Sequence, residues 1–130
     1  MRTTTILITL MSVMVVLFAG VALAKVINGN DNDNTLVGTD RADTIYGKGG
    51  DDNINGKRGN DTLILGSGED EVFGSWGNDV IRAVDSSQDF IGCGNGHDRV
   101  RMNPGDALWH EHHCERVIRE GPRVRGPFGP

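Results

Sequence analysis

The sequence predicts an all-β fold, a parallel solenoid of stacked nine-residue units, and three observations carry that expectation. An acid or amide stands two places before an aliphatic residue at Asn34, Asp43, Asp52, Asp61, Asp70 and Asp79, nine residues apart each time. The aliphatic partners Leu36, Ile45, Ile54, Leu63, Val72 and Ile81 keep the same phase. Glycines mark the beat as well. Gly29, Gly38, Gly47, Gly56 and Gly74 come five residues before the acid position, and Gly50, Gly59, Gly68 and Gly77 come two before it. Glycine-rich polar composition alone would suit a disordered tract. Disorder, however, does not require an aliphatic residue at one phase in six consecutive copies.

Each residue type has a physical reason. Glycine takes positive φ at no steric cost, so a six-residue turn can curl its carbonyls inward. The three residues that follow suffice for a short strand, the aliphatic one pointing in and its neighbours out. Two units then make one coil of about eighteen residues, and coils stack at roughly 4.8 Å as parallel strands. Aspartates one coil apart approach closely, and without a cation between them that ladder repels itself. Carbonyl and carboxylate oxygens are the hard donors that Ca²⁺ takes in sets of six to eight.

The best copies, GKGGDDNIN, GKRGNDTLI and GSWGNDVIR, match the pattern G-G-x-G-x-D-x-U-x, with U aliphatic. From Gly29 to Val100 the chain resembles the hemolysin-type calcium-binding (RTX) repeat family. The resemblance implies a right-handed parallel β-roll, with several Ca²⁺ ions held between stacked turns. On that reading the candidate metal ligands are the carboxylates of Asp43, Asp52, Asp61, Asp70, Asp79 and Asp98. The turn glycines Gly47, Gly50, Gly56, Gly59, Gly68, Gly74 and Gly77 complete the set.

In chain order, residues 1–24 read as a secretory signal peptide: Arg2, an apolar run from Ile6 to Val21, then Ala22-Leu23-Ala24. The rival reading is an uncleaved membrane anchor, since the run is near the lower limit for spanning. The expected outcome is a secreted, extracellular chain with no stable membrane insertion after cleavage. Residues 25–101 form the repeat domain. The first copy, GNDNDNTLV, lacks a carboxylate at Asn34 and reads as a cap; the second carries Arg41 where a glycine is due. In the fifth, Leu65 replaces the leading glycine, and Glu69, Asp70 and Glu71 crowd together. The beat then slips to ten residues between Asp79 and Asp89, across a glycine-free AVDSSQ that is expected to bulge and lose its Ca²⁺. Order returns in CGNGHDRVR, with Gly94, Gly96, Asp98 and Val100 in phase.

Residues 102–118 read as a C-terminal cap, with Leu108, Val117 and Ile118 covering the last coil. Cys93 and Cys114 are an even pair in an oxidising compartment and are expected to form one disulfide. Residues 119–130 read as a mobile tail.

Charge and motifs narrow the function. Residues 28–98 hold fourteen acids against five bases, −9, and residues 99–130 four acids against six bases, +2. An acidic array with a mildly basic end suits cation binding and not nucleic acid. With one Tyr, two Trp and four Phe, the aromatic core is thin, so metals and a disulfide are expected to hold the fold. No Ser/His/Asp grouping, phosphate loop or paired acid accompanies the repeats, so no catalytic residue is assigned. The leading expectation is a non-enzymatic, calcium-stabilised structural or binding module. Its partners are calcium ions, with a protein or glycan partner left open. One alternative is a calcium-dependent adhesin using the flat outer faces of the roll, which an exposed aromatic ladder would favour; Tyr46, Phe73 and Trp76 are too few to make one. The other is a transition-metal protein using His110, His112 and His113, because imidazole suits such ions.

Overall fold

The computed structural model describes residues 23–109 and 113–121. Eleven short strands follow one another there: β1 (Val26–Asn28), β2 (Thr35–Val37), β3 (Thr44–Lys48), β4 (Asn53–Asn55), β5 (Thr62–Gly66), β6 (Glu71–Trp76), β7 (Val80–Ala83), β8 (Phe90–Asn95), β9 (Arg99–Met102), β10 (Ala107–Leu108) and β11 (Arg116–Arg119). Odd strands form one sheet in the order β1-β3-β5-β7-β9-β11, and even strands the other, β10-β8-β6-β4-β2. Each coil therefore contributes one strand to each sheet, and every ladder is parallel. The fold is a parallel β-roll, as the nine-residue period predicts.

Register confirms the coil length. Thr44 lies beside Thr62 and Thr62 beside Val80, a step of eighteen, and Asn53 beside Glu71 repeats it in the second sheet. Alternation then fixes what is inside. Ile27, Ile45, Leu63, Ile81, Val100 and Val117 form one inward ladder facing Leu36, Ile54, Val72, Ile91 and Leu108. Most of these side chains are fully buried, and Leu65, Ala83 and Met102 extend the core toward one edge. The core is only about one side chain thick per sheet, so each coil depends on its neighbours for burial.

The ten-residue interval is absorbed locally. Val80 pairs with Arg99 and Glu71 with Phe90, nineteen apart, and the next steps, Arg99 to Arg116 and Phe90 to Ala107, are seventeen. The surplus residue of one coil is thus cancelled by a deficit in the next. Both sheets run on past residue 102, so the segment expected as a cap is itself built as further coil. Leu108 and Val117 pack against the core, but Ile118 lies beside Arg101 and faces outward. The physical reason is alternation: with Val117 inside, its neighbour must point out.

Cys93 and Cys114 form the expected disulfide, with Cα atoms 5.5 Å apart. It ties β8 to the approach of β11. The expected signal peptide up to Ala22, together with His110, Glu111, His112 and the residues from Pro122 on, lies outside the described residues. Among the described residues no helix is long and apolar enough to cross a membrane.

Closing a loop of this length stabilises by about 3 kcal/mol in the chain-entropy model. Reduction is therefore expected to remove hydrogen-exchange protection from β9 and β11 first. The coils from Asp43 to Asp79 should keep theirs in calcium. Uniform loss along the array would contradict it.

Candidate metal centre

Aspartates eighteen or so residues apart line up in two columns, one along each edge of the roll. In one column the amide of Asp43 donates to Asp61 Oδ1, that of Asp61 to Asp79 Oδ1, and that of Asp79 to Asp98 Oδ1, at 2.7–2.8 Å. In the other, Asn34, Asp52 and Asp70 donate in turn to Asp52, Asp70 and Asp89, and Asp89 to Asp106. Each carboxylate spends one oxygen on the backbone of the preceding coil.

The second oxygen is the anomaly. Oδ2 of Asp52, Asp61, Asp70, Asp79, Asp89 and Asp98 is buried without a hydrogen-bond partner. Six orphaned charges in one small domain would be costly unless something compensates them. Five of the six follow a left-handed residue four places earlier: Lys48 (φ 81°), Lys57 (73°) and Ser75 (79°), and Gly66 and Gly94; Asp89, in the slipped turn, follows Asp85, which has no positive φ. At the head of the column the arrangement differs. Thr39 has no positive φ, and its amide and hydroxyl reach Asp43 Oδ2 at 2.6 and 2.9 Å. Asp43 is thus satisfied by protein, as is Asn34 through the Asn30 amide. Left-handed backbone at the fourth position turns the amide away and leaves the carboxylate oxygen open.

The leading glycine supplies space. A Cβ built on Gly56 would lie 2.5 Å from Asp61 Oδ2 and 2.9 Å from the Gly74 carbonyl oxygen. Gly47 stands in the same way to Asp52 Oδ2 and the Leu65 carbonyl, and Gly74 to Asp79 Oδ2 and the Cys93 carbonyl. An unpaired carboxylate oxygen and a carbonyl oxygen from the next coil therefore converge beside a missing side chain. This donor set fits a hard divalent cation such as Ca²⁺. Among the described residues no group of three or more His, Cys, Asp and Glu side chains is arranged to hold a metal by itself. Backbone oxygens must supply most of the coordination.

Not every turn offers the same cradle. Leu65 stands where Asp70 would have its glycine, and Cys93, the disulfide residue, where Asp98 would. In the slipped turn the Asp85 carboxylate accepts from the Gly68 amide at 3.3 Å, a part played by backbone carbonyls for Gly59 and Gly77. Asp89 and Asp106 belong to the column, although the sequence reading placed neither among the ligands. Their signal was present, since Asp-Phe-Ile and Asp-Ala-Leu repeat the Asp-x-aliphatic unit once the nine-residue count is relaxed. Of the aromatics, Tyr46 is on one sheet and Phe73 and Trp76 on the other, so they form no common ladder.

Burial is the largest influence on these carboxyls. It raises Asp61 and Asp89 to about 7, and Asp70 and Asp79 to about 6, with like-charged column neighbours adding to the rise. Asp43 is the exception: burial pushes it up, but the Thr39 and Lys25 hydrogen bonds outweigh that and hold it below the usual value.

Two outcomes follow from this geometry. In a double-mutant cycle on calcium-dependent stability, Asp61→Ala and Asp79→Ala should couple by about 0.5–3 kcal/mol. Asp61→Ala and Asp70→Ala, on opposite edges, should come closer to additivity, and the reverse order would exclude the two-column arrangement. Lys57→Gly should raise stability by about 1 kcal/mol in a denaturant titration by removing left-handed strain at a non-glycine residue.

A family model described as the RTX calcium-binding nonapeptide repeat, four copies, matches residues 28–63 and again residues 46–81. The two windows are offset by one coil, and the match ends where the beat slips. No curated protein and no solved structure matches the chain. Residues 28–81 of this 130-residue chain carry the RTX calcium-binding nonapeptide repeat.

Proposed function

We propose that the protein is a secreted, non-enzymatic module that calcium folds and holds, and that it acts by binding. One observation carries the reading: six buried carboxylate oxygens with no partner, three of which, on Asp52, Asp61 and Asp79, face a glycine cradle and a carbonyl of the next coil. The strongest candidates for coordination are Asp52 with Gly47, Asp61 with Gly56, and Asp79 with Gly74, joined by carbonyls of the turns that include Gly50, Gly59, Gly68 and Gly77. Asp70, Asp89 and Asp98 offer the same open oxygen in altered turns. Asp43 serves as a capping acceptor. When bound, Ca²⁺ would supply the positive charge that lets two carboxylate ladders lie inside a small fold.

Binding energy becomes folding energy where the site is not preformed. Extracellular calcium modules bind at about 10⁻⁴ to 10⁻³ M, which suits a chain that stays open inside the cell and closes outside it. The secretion reading draws on the leader-like residues 1–24.

Circular dichroism in EGTA and then in excess Ca²⁺ tests the proposal, and pH sharpens it. A carboxyl raised in the fold binds its proton more tightly there than in the unfolded chain. The calcium-free fold is therefore most stable below about pH 4, the unfolded value, and loses that stability as pH rises through 6 to 7. Calcium competes with those protons, so the order reverses in its presence. In EGTA more β signal is expected at pH 5 than at pH 8; in calcium the signal at pH 8 should equal or exceed it. Identical β spectra with and without calcium at pH 8 would overturn the reading.

A further inference from the structure

The outward face of the odd-stranded sheet carries a charge pattern opposite to that of the turns. Alternation along β7, β9 and β11 points Arg82, Arg99, Arg101 and Arg116 out of one face, all exposed. Register makes them lateral neighbours, Arg82 beside Arg101 and Arg99 beside Arg116. With strands about 4.8 Å apart and alternate residues roughly 6.6 Å apart along a strand, the four arginines step across three adjacent strands of one flat face. Among the described residues, Glu120 is the carboxylate paired into this patch, through Arg101.

Like charges directly opposite on adjacent strands destabilise a sheet. The fold does not need them, since the same outward positions on earlier coils hold Thr44, Thr62, Tyr46 and Ile64. Their clustering on the last coils, in a chain whose repeat array is otherwise strongly acidic, is complementary to an anionic partner.

We propose that this face binds an acidic polysaccharide, whose carboxylate or sulfate groups seat on the guanidiniums of Arg82, Arg99 and Arg116, Arg101 being held by Glu120. Planar guanidinium pairs bidentately with such groups, and cations stepped across adjacent strands suit a polymer that carries several anions. Nucleic acid fits less well. The outward neighbours of the arginines are Val80, Ile118 and Ile64, and the one tyrosine, Tyr46, is two strands away from Arg82, so there is no platform for stacking bases. A flat sheet face also has no helix or ribbon to enter a major groove. The proposal rests on the calcium reading in one respect: cations in the turns offset the carboxylates that would otherwise repel a polyanion.

The test uses the purified protein in calcium, its β content checked by circular dichroism, on immobilised dextran sulfate and on uncharged dextran. Retention is expected on the sulfated matrix alone and should fall steeply with added salt. Replacing Arg82, Arg99 and Arg116 together by Gln should weaken binding about tenfold, roughly 1.4 kcal/mol. The charge-matched triple Lys25→Gln, Arg41→Gln, Arg58→Gln, away from the face, should change it far less. Equal losses in the two triples would reduce the effect to net charge and overturn the assignment. Equal or tighter binding of a single-stranded oligonucleotide would move it to nucleic acid, and no retention at low salt would end it. A folded protein that binds dextran sulfate but ignores calcium would refute the calcium reading while sparing the face. One that folds on calcium but is not retained would do the opposite.

Discussion

The structure depends on the stacking of carboxylates that give one oxygen to the backbone and, in six of them, keep the other free. The hydrogen bond from the preceding coil's amide to Oδ1 fixes the side chain, and with it the position of the unpaired Oδ2. Backbone ladders at about 4.8 Å then place successive carboxylates closer together than their charges would choose. Without a counter-charge the two columns oppose the sheets they sit beside. With one, they become an axial tie along both edges. Core packing cannot overrule this balance, because each strand donates little more than one aliphatic side chain.

Strain and open coordination coincide at the fourth residue before three of the aspartates. Lys48, Lys57 and Ser75 take a backbone region that favours glycine, and each stands before a carboxylate that lacks a partner. Thr39, in ordinary backbone, satisfies its carboxylate directly. The same tetrad of residues can therefore close a turn with its own amide or hold it open for an external ligand.

Much of this was legible in the chain itself. The Asp-x-aliphatic unit at a constant nine residues dictates short strands, a two-sheet coil and an aliphatic interior, and six copies in phase leave little room for another winding. What could not be read was what depends on three-dimensional register. Asp89 and Asp106 fall out of a strict nine-residue count, and only the compensating steps of nineteen and seventeen restore them to the column. The different fates of Asp43 and Asp61 rest on backbone rotation at Thr39 and Lys57, which residue identity does not reveal. Ile118, apolar and near the end, suggested a lid for the core; strand alternation sends it outward instead. The arginine face was equally hidden, since its four residues are scattered over 35 positions, counted from Arg82 to Arg116, until the coil brings them together.

The coil of two unequal half-turns also limits how such an array can change length. Column by column, the edges differ: Asp33 and Asp51 on one side, and Asn60 and Asn78 on the other, each accept from the next coil's amide, Glu69 following as the donor to Asp51. Gaining or losing a single nonapeptide would keep the local motif intact yet move every later residue to the opposite sheet. Acidic and neutral edges would be spliced together, the arginines would transfer to the other face, and Cys93 would meet a different edge from the one its partner now approaches. Genetic duplication or deletion in this array is therefore tolerated in even numbers of units, with the pair of nonapeptides as the smallest heritable step.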